Sequence, residues 1–322
     1  MKLGVFDPIF HKLELEEMLD KVQAAGLTAI EIGCGGNPGN HHCPTDELLE
    51  SEEKRKEYKE KFEKRGIEIG AFSTHNNPVS PDPEEAKQAD EDLRKAIKLA
   101  ALMDVPVVNT FSGTPGANEE ATAKNWPVAP WPTEYAEIYE WQWEKKLIPY
   151  WKEIGQLAEE YNVKIAIEMH GGFSVHTPYT ALKLRNNTSK NIGVNFDPSH
   201  MWWQGINPVE AIKILGKEDA IFHFHAKDTY MDQTNMNLHG VNSMIPYGEV
   251  AERSWTFRTV GYGHDMKEWN DMISELVKYG YNHVISIEHE DPLMSVDEGF
   301  NKAVDNLLDS IIENDTIDMF WA

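Results

Sequence analysis

Cysteine is almost missing from this chain of 322 residues: Cys34 and Cys43 are the only two. Neither sits in a CxxC, and together with His41 and His42 they do not make a zinc-finger spacing. Two reduced thiols in a cytoplasmic protein are expected, with a metal site at Cys43, His41 and His42 as the alternative. Basic charge is scarce as well. The 30 Lys and Arg stand against 54 Asp and Glu, a formal net charge of −24, and no run of Lys and Arg interrupts that balance. Such a surface repels nucleic-acid phosphates and anionic membranes over long range, so neither is expected as a partner. Long apolar runs are absent: no stretch approaches the roughly 18 residues a membrane helix needs. Met1 to Phe6 lead straight into a strand-like segment with no charged and apolar leader regions, so secretion is not expected.

What is present is a hydrophobic fraction of 41%, ample for a large core, and ten Trp within an aromatic share of 10%. Strand-like segments alternate with charged helix-periodic ones. The strands are expected at Lys2–Asp7, Ala29–Cys34, Ile67–Thr74, Val105–Thr110, Val163–His170, Ile192–Asp197, Ile221–Asp228 and His283–Glu290. Helices are expected at Leu13–Ala25, Asp46–Arg65, Glu84–Met103, Thr133–Tyr161 and Leu293–Ile312, among others. Start signals stand at Pro44-Thr45-Asp46, at Pro81-Asp82-Pro83 and at Ser295 three residues before Glu298, and Gly26, Gly66 and Gly280 close helices just ahead of strands. Eight such repeats without a break in composition predict one α/β domain over residues 1–322, a single (β/α)8 TIM barrel.

Two connections are too long to be plain turns, residues 111–132 and 229–265. Both follow a strand and so belong at the C-terminal mouth of the barrel, where barrel enzymes keep their active sites. Trp126, Trp131, Trp255, Tyr247 and Tyr262 in these loops, with Trp202 and Trp203 after the sixth strand, are expected to contribute walls for a sugar.

The period of two along a strand sorts the side chains further. Ile165 and Ile167 oppose Ala166 and Glu168; Val194 and Phe196 oppose Asn195 and Asp197; Phe222 and Phe224 oppose His223 and His225; Ile285 and Ile287 oppose Ser286 and Glu288. With the bulky members facing the helices, four neighbouring strands each aim one potential ligand into the lumen: Glu168, Asp197, His225 and Glu288. Three carboxylates in one lumen repel unless a cation or protons neutralise them. Three oxygens and an imidazole suit one divalent ion, Mn²⁺ first, with Mg²⁺, Co²⁺ or Zn²⁺ also compatible. His170, Lys227 and Glu31 share the inward parity: His170 is a candidate for substrate contact, Lys227 for substrate contact or for pairing with the carboxylates, and Glu31 for substrate contact or for support behind the ligands. His223 lies one layer below His225 as a buried support, and His75 has the wrong parity for the lumen.

These residues also carry a resemblance. Ile165-Ala166-Ile167-Glu168, Asn195 through His200, Phe222 through Asp228 and Ser286 through Pro292 resemble the strand ends of the xylose-isomerase-like sugar isomerase/epimerase superfamily. That superfamily includes D-tagatose and D-psicose 3-epimerases, inosose dehydratases and apurinic endonucleases, and one branch epimerises 3-keto glycosides. The resemblance implies a metal on Glu168, Asp197, His225 and Glu288, Glu168 and Glu288 as acid/base pair, and His200 on a substrate hydroxyl. The epimerases' substrate-holding Arg has no counterpart in Lys227-Asp228-Thr229-Tyr230-Met231; Lys227 or Arg258 stands in for it. Barrels of this type pair through their mouths, so a homo-oligomer is compatible.

The chemistry expected of such a set is proton transfer next to a carbonyl through a cis-enediolate, in a metal-dependent epimerase or isomerase of an unphosphorylated sugar, keto sugar or keto glycoside. Phosphate cradles are wanting: Glu290-Asp291-Pro292 follows the eighth strand, and Asp228-Thr229-Tyr230 follows the seventh, with no glycine cluster before Gly261-Tyr262-Gly263. Loss of a β-substituent from the same intermediate makes a dehydratase or lyase the runner-up. A three-zinc nuclease would need His75, His264 and Asp265 as further ligands, against the charge of the chain. A non-catalytic binding or partner subunit on an enzyme-like barrel is the rival of another class.

Overall fold

The expected alternation resolves into eight parallel strands: β1 Lys2–Val5, β2 Ala29–Gly33, β3 Glu68–Ser73, β4 Val107–Phe111, β5 Lys164–Glu168, β6 Ile192–Phe196, β7 Ile221–Ala226 and β10 Val284–Ile287. In the computed structural model, which describes residues 1–312, they form one sheet in the order β1-β10-β7-β6-β5-β4-β3-β2. A parallel bridge from Phe6 to Glu31 brings its two ends together, so the sheet is a nearly closed barrel. The last ten residues of the expected 1–322 domain lie outside the described residues.

Helices surround the barrel where the periodicity placed them, with shorter limits. The segment from Asp46 breaks at Ser51 into Thr45–Glu50 and Glu52–Glu63, and Thr133–Tyr161 passes through a π-helical stretch at Gln142–Leu147. Asp82 caps Pro83–Met103 through the backbone N–H groups of Glu84 and Glu85, and Ser295 caps Val296–Leu308 through that of Glu298. Among the described residues no helix is long and apolar enough to cross a membrane.

Strand parity holds for most of the lumen and fails at one residue. Ile165, Ile167, Val194, Phe196, Phe224, Ile285 and Ile287 all join the main core between barrel and helices. Phe222 does not. The ladder pairs Val194 with Ile221 and Asn195 with His223, so Phe222 is the extra residue of a bulge. It packs instead with Ala71, Val107 and Ala166, over Gly193, where a Cβ would lie 2.6 Å from its ring. The bulge restarts the alternation, and His223 and His225 still face inward.

The segment 229–265, expected to be without regular structure, carries an antiparallel hairpin of β8 Asp228–Met231 and β9 Trp255–Arg258, with the helix Gln233–His239 between them. Its far end is tied down by buried Asp228. One carboxylate oxygen accepts the backbone N–H groups of Gly261, Gly263 and His264 at 3.0, 3.0 and 3.1 Å. The other accepts the backbone N–H of Thr229 at 2.7 Å and bonds the His264 ring at 2.9 Å.

Replacing Asp228 by Ala strands those donors, at about 3 kcal/mol for the group. The expected outcome in urea unfolding is a lower midpoint with an unchanged slope; a midpoint equal to the wild type's would remove Asp228 as the anchor of this loop.

Candidate metal centre and active site

Glu168 ends β5, Asp197 follows β6 by one residue, His225 is the penultimate residue of β7, and Glu288 follows β10 by one. One ligand atom from each of the four lies within 4.8 Å of the others. His225 Nδ1 is 3.0 Å from Glu288 Oε2 and 3.4 Å from Glu168 Oε2. His225 Nδ1, Asp197 Oδ2 and Glu288 Oε2 are buried and make no well-directed hydrogen bond, although the Lys227 ammonium stands at ion-pair distance from both oxygens. Buried lone pairs that converge on one point without well-directed donors are what an ion would satisfy. The donor set, three carboxylates and an imidazole, fits a divalent cation, so the residues present could hold one.

The protein's own cations partly balance this cluster. The Lys227 ammonium, 2% exposed, lies 2.8 Å from Glu288, 3.1 Å from Asp197 and 3.0 Å from Glu290. Burial works to lower Lys227, but these carboxylates hold it well above the usual lysine range. Burial likewise works against an ionised Glu168, yet His200, His225 and His75 outweigh it and hold its carboxyl well below the ordinary value. Glu288 is drawn down to about 2, burial being overcome by Lys227 and His225. Asp197 goes the other way: burial, with Glu288 and Glu168 beside it, pushes it up to about 6 against the pull of Lys227. One ammonium cannot serve every carboxylate, and Asp197, with 0% exposure, is left least compensated.

Above the cluster opens a cavity of about 410 Å³, lined by Phe6, Asn37, His75, Phe111, Glu168, His170, Phe173, Lys227, Glu288 and Glu290, with Pro8 and Pro38. His170 and Lys227, predicted from parity, are therefore at the cavity wall. His200 is not. It is 1% exposed beneath His170, ring centroids 3.8 Å apart, with Nε2 3.4 Å from Glu168 and 3.3 Å from Asp197. Glu31 lies deeper still, bonded to His223 and His225, which removes it from substrate contact. Arg258 is turned to Asp291, 3.0 Å away, and does not reach the cavity. Trp202 stacks on His264 at 3.9 Å and gives its N–H to Glu268, so it packs the outer wall of the mouth.

The expected aromatic walls also lie elsewhere. Trp203 stacks on Trp255 at 4.9 Å, Tyr247 on Phe257 at 6.1 Å, Trp126 meets His176, Tyr262 lies beneath Arg258, and Trp131 is 79% exposed. The rings that do line the cavity, Phe6, Phe111 and Phe173, come from strand ends and a short turn, with Phe111 and Phe173 stacked at 4.1 Å. His75 has the wrong parity for β3, but β3 ends at Ser73, alternation stops, and the loop that follows swings His75 Nε2 to 2.9 Å from Glu168 Oε2. Of the other ligands a nuclease would need, His264 is held by Asp228 and Asp265 caps the helix Met266–Lys278. Cys34 and Cys43 are buried free thiols, and His42 bonds Asp7 at 2.6 Å and the carbonyl of Leu13 at 3.0 Å.

Fold and site together define a parallel α/β barrel with a potential metal-binding cluster at its C-terminal mouth. A profile of the xylose isomerase-like TIM barrel family matches residues 19–309, and the chain belongs to that family. It is similar to YfiH of Bacillus subtilis (strain 168), an uncharacterised protein, with 35% identity over 318 residues, 97% of this chain and 99% of that one. Two solved structures share the fold: the IolI protein with a bound zinc atom (19% identity, TM-score 0.66, 97% of this chain and 98% of that one) and a D-tagatose 3-epimerase-like protein (23%, 0.63, 96% and 98%).

If Lys227 is the internal counter-ion of the cluster, Lys227→Met should destabilise chelator-treated protein by about 3 kcal/mol, because it leaves buried charges uncompensated. Added Mn²⁺ should restore most of that loss. An unchanged unfolding temperature in chelator would count against the assignment.

Proposed function

We propose that this protein is a metal-dependent isomerase that epimerises or isomerises an unphosphorylated sugar, keto sugar or keto glycoside by proton transfer beside its carbonyl. One observation carries the reading: of the four clustered residues, Glu168 and Glu288 open onto the cavity, while Asp197 and His225 lie sealed beneath it. The two carboxylates assigned to acid/base work are thus the two a substrate can touch. Glu168, Asp197, His225 and Glu288 would hold the ion, Mn²⁺ first by donor type.

A divalent ion held by these four residues would supply polarisation of a carbonyl oxygen and stabilisation of the negative charge that grows on it. Glu168, kept ionised by three imidazoles, is set to take a proton from the neighbouring carbon. Glu288, on a strand from the other side of the mouth, is set to carry a proton back. Return to the same carbon inverts it; return to its neighbour interconverts aldose and ketose. Phe6, Phe111 and Phe173 offer an apolar face, and Lys227, Glu290 and Asn37 offer hydrogen-bonding groups, a pairing that suits a sugar ring. A phosphate would find Lys227 already shared among three carboxylates and Arg258 paired with Asp291.

The test joins metal analysis to isotope exchange. Protein purified without chelator should carry about one divalent ion per chain and exchange the α-hydrogen of its keto sugar with solvent deuterium. Glu168→Gln should slow that exchange by at least ~100-fold, the low end for a lost general base. Full exchange in the variant removes Glu168 as the base. Exchange accompanied by an unsaturated product assigns a lyase instead, and metal binding without exchange on any keto sugar assigns a binding subunit.

A further inference from the structure

Directly behind the four clustered residues a fourth acidic side chain is buried, paired with imidazoles and with no Lys or Arg beside it among the described residues. Glu31, in the middle of β2, has 0% exposure and gathers hydrogen bonds from three other strands. One oxygen accepts the Ser73 hydroxyl of β3 and the Asn109 amide of β4, the latter at 2.8 Å. The other accepts His223 Nε2 and His225 Nε2 of β7, each at 2.9 Å. Four donors fill the roughly four lone-pair sites of a carboxylate. An ionised carboxylate only accepts, so both rings present N–H at Nε2. For His225 this decides the other nitrogen: Nδ1 is the atom left facing Glu168 and Glu288, buried and without a hydrogen-bond partner. Phe6 stacks on the same ring at 5.4 Å and 27°, which resists tilting.

We propose that Glu31 is the positioning residue of the metal centre, acting through His225: it selects Nδ1 as the ligating nitrogen and holds the ring in line, touching neither ion nor substrate itself. This rests on the reading that Glu168, Asp197, His225 and Glu288 bind a divalent ion. An anionic acceptor behind the ring also makes the ligating nitrogen more basic. Glutamine cannot replace it. Wherever its amide N–H₂ points, it faces either the Asn109 amide or the two imidazole N–H groups, and relief by moving a His225 hydrogen to Nδ1 would block ligation.

Two measurements test this. In wild-type protein labelled with ¹⁵N-histidine and loaded with ¹¹³Cd, the cadmium coupling should appear at Nδ1 of His225, with hydrogen retained on Nε2. Coupling to Nε2 overturns the proposal whether or not any variant folds. In Mn²⁺ titrations of chelator-treated protein, Glu31→Gln should bind about 10–100-fold more weakly at unchanged stoichiometry, the usual loss when such a support is removed. Ser73→Ala, which keeps the charge and removes one of the four donors, should lose less. Equal affinity in Glu31→Gln and wild type overturns the proposal while leaving the metal site intact. A wild type that binds neither Mn²⁺ nor Cd²⁺ overturns the metal reading itself, and this inference with it.

Discussion

The interaction on which the rest depends is the burial of carboxylates in the barrel lumen. Glu31, Glu168 and Asp197 are 0 to 3% exposed, and the side chain of Glu288 is 15% exposed. Each ionised group taken from water costs several kcal/mol unless donors or cations replace the lost hydration. The structure divides that cost between two levels. In the lower one, Glu31 is satisfied by four side-chain donors from β3, β4 and β7, a closed network that cross-links opposite sides of the lumen. In the upper one, Glu168, Asp197 and Glu288 share His225, Lys227 and the imidazoles of His75 and His200, and compensation stays incomplete. Asp197 shows it: its carboxyl is pushed up while its neighbours are held down. The lower level makes a fixed floor; the upper one keeps an appetite for positive charge.

Loop architecture follows from the same economy of anchoring. Asp7, just past β1, accepts the backbone N–H of Gly33 at 2.7 Å and pairs with His42, fixing the turn that brings Asn37 and Pro38 to the cavity rim. Asp228, just past β7, does the same for residues 261–264. Both anchors stand at the C-terminal ends of strands, so these two mouth loops are tied directly to the rigid barrel as well as to their neighbours. A site built this way keeps its geometry even where its rim is irregular.

How much of this was legible in the sequence depended on how far strand periodicity reaches. Glu168, His225 and Glu288 sit in or next to their strands, and parity alone brought them to one place with Asp197. His75 lies two residues past its strand, where alternation has no authority, and parity cannot place it. Phe222 was placed outward because a bulge cannot be read from an alternating pattern; the small Gly193 beneath it is the one local hint. Loop aromatics were overvalued for a related reason. Trp203, Trp255 and Tyr247 are taken up by the hairpin β8–β9, an element the unperiodic segment does not announce, and the cavity walls fall to Phe6, Phe111 and Phe173. Arg258 was read as free to reach a substrate, but the acidic residue that captures it, Asp291, is distant in sequence.

Charge ties the local and global pictures together. The chain carries a formal net charge of −24, and its cavity floor is acidic as well, so an anionic ligand would be opposed both on approach and on arrival. Lys227 does not reverse this, because its ammonium is within 3.1 Å of three carboxylates and has no unshared charge to offer. A divalent cation would meet the opposite situation: the field would draw it in, and the converging atoms of Asp197, His225 and Glu288 could receive it. Once such an ion neutralises the floor, what remains exposed is a phenylalanine wall opposite a hydrogen-bonding rim. Under the proposed function, that surface would select mainly by shape and hydroxyl pattern, which is the discrimination a neutral sugar requires.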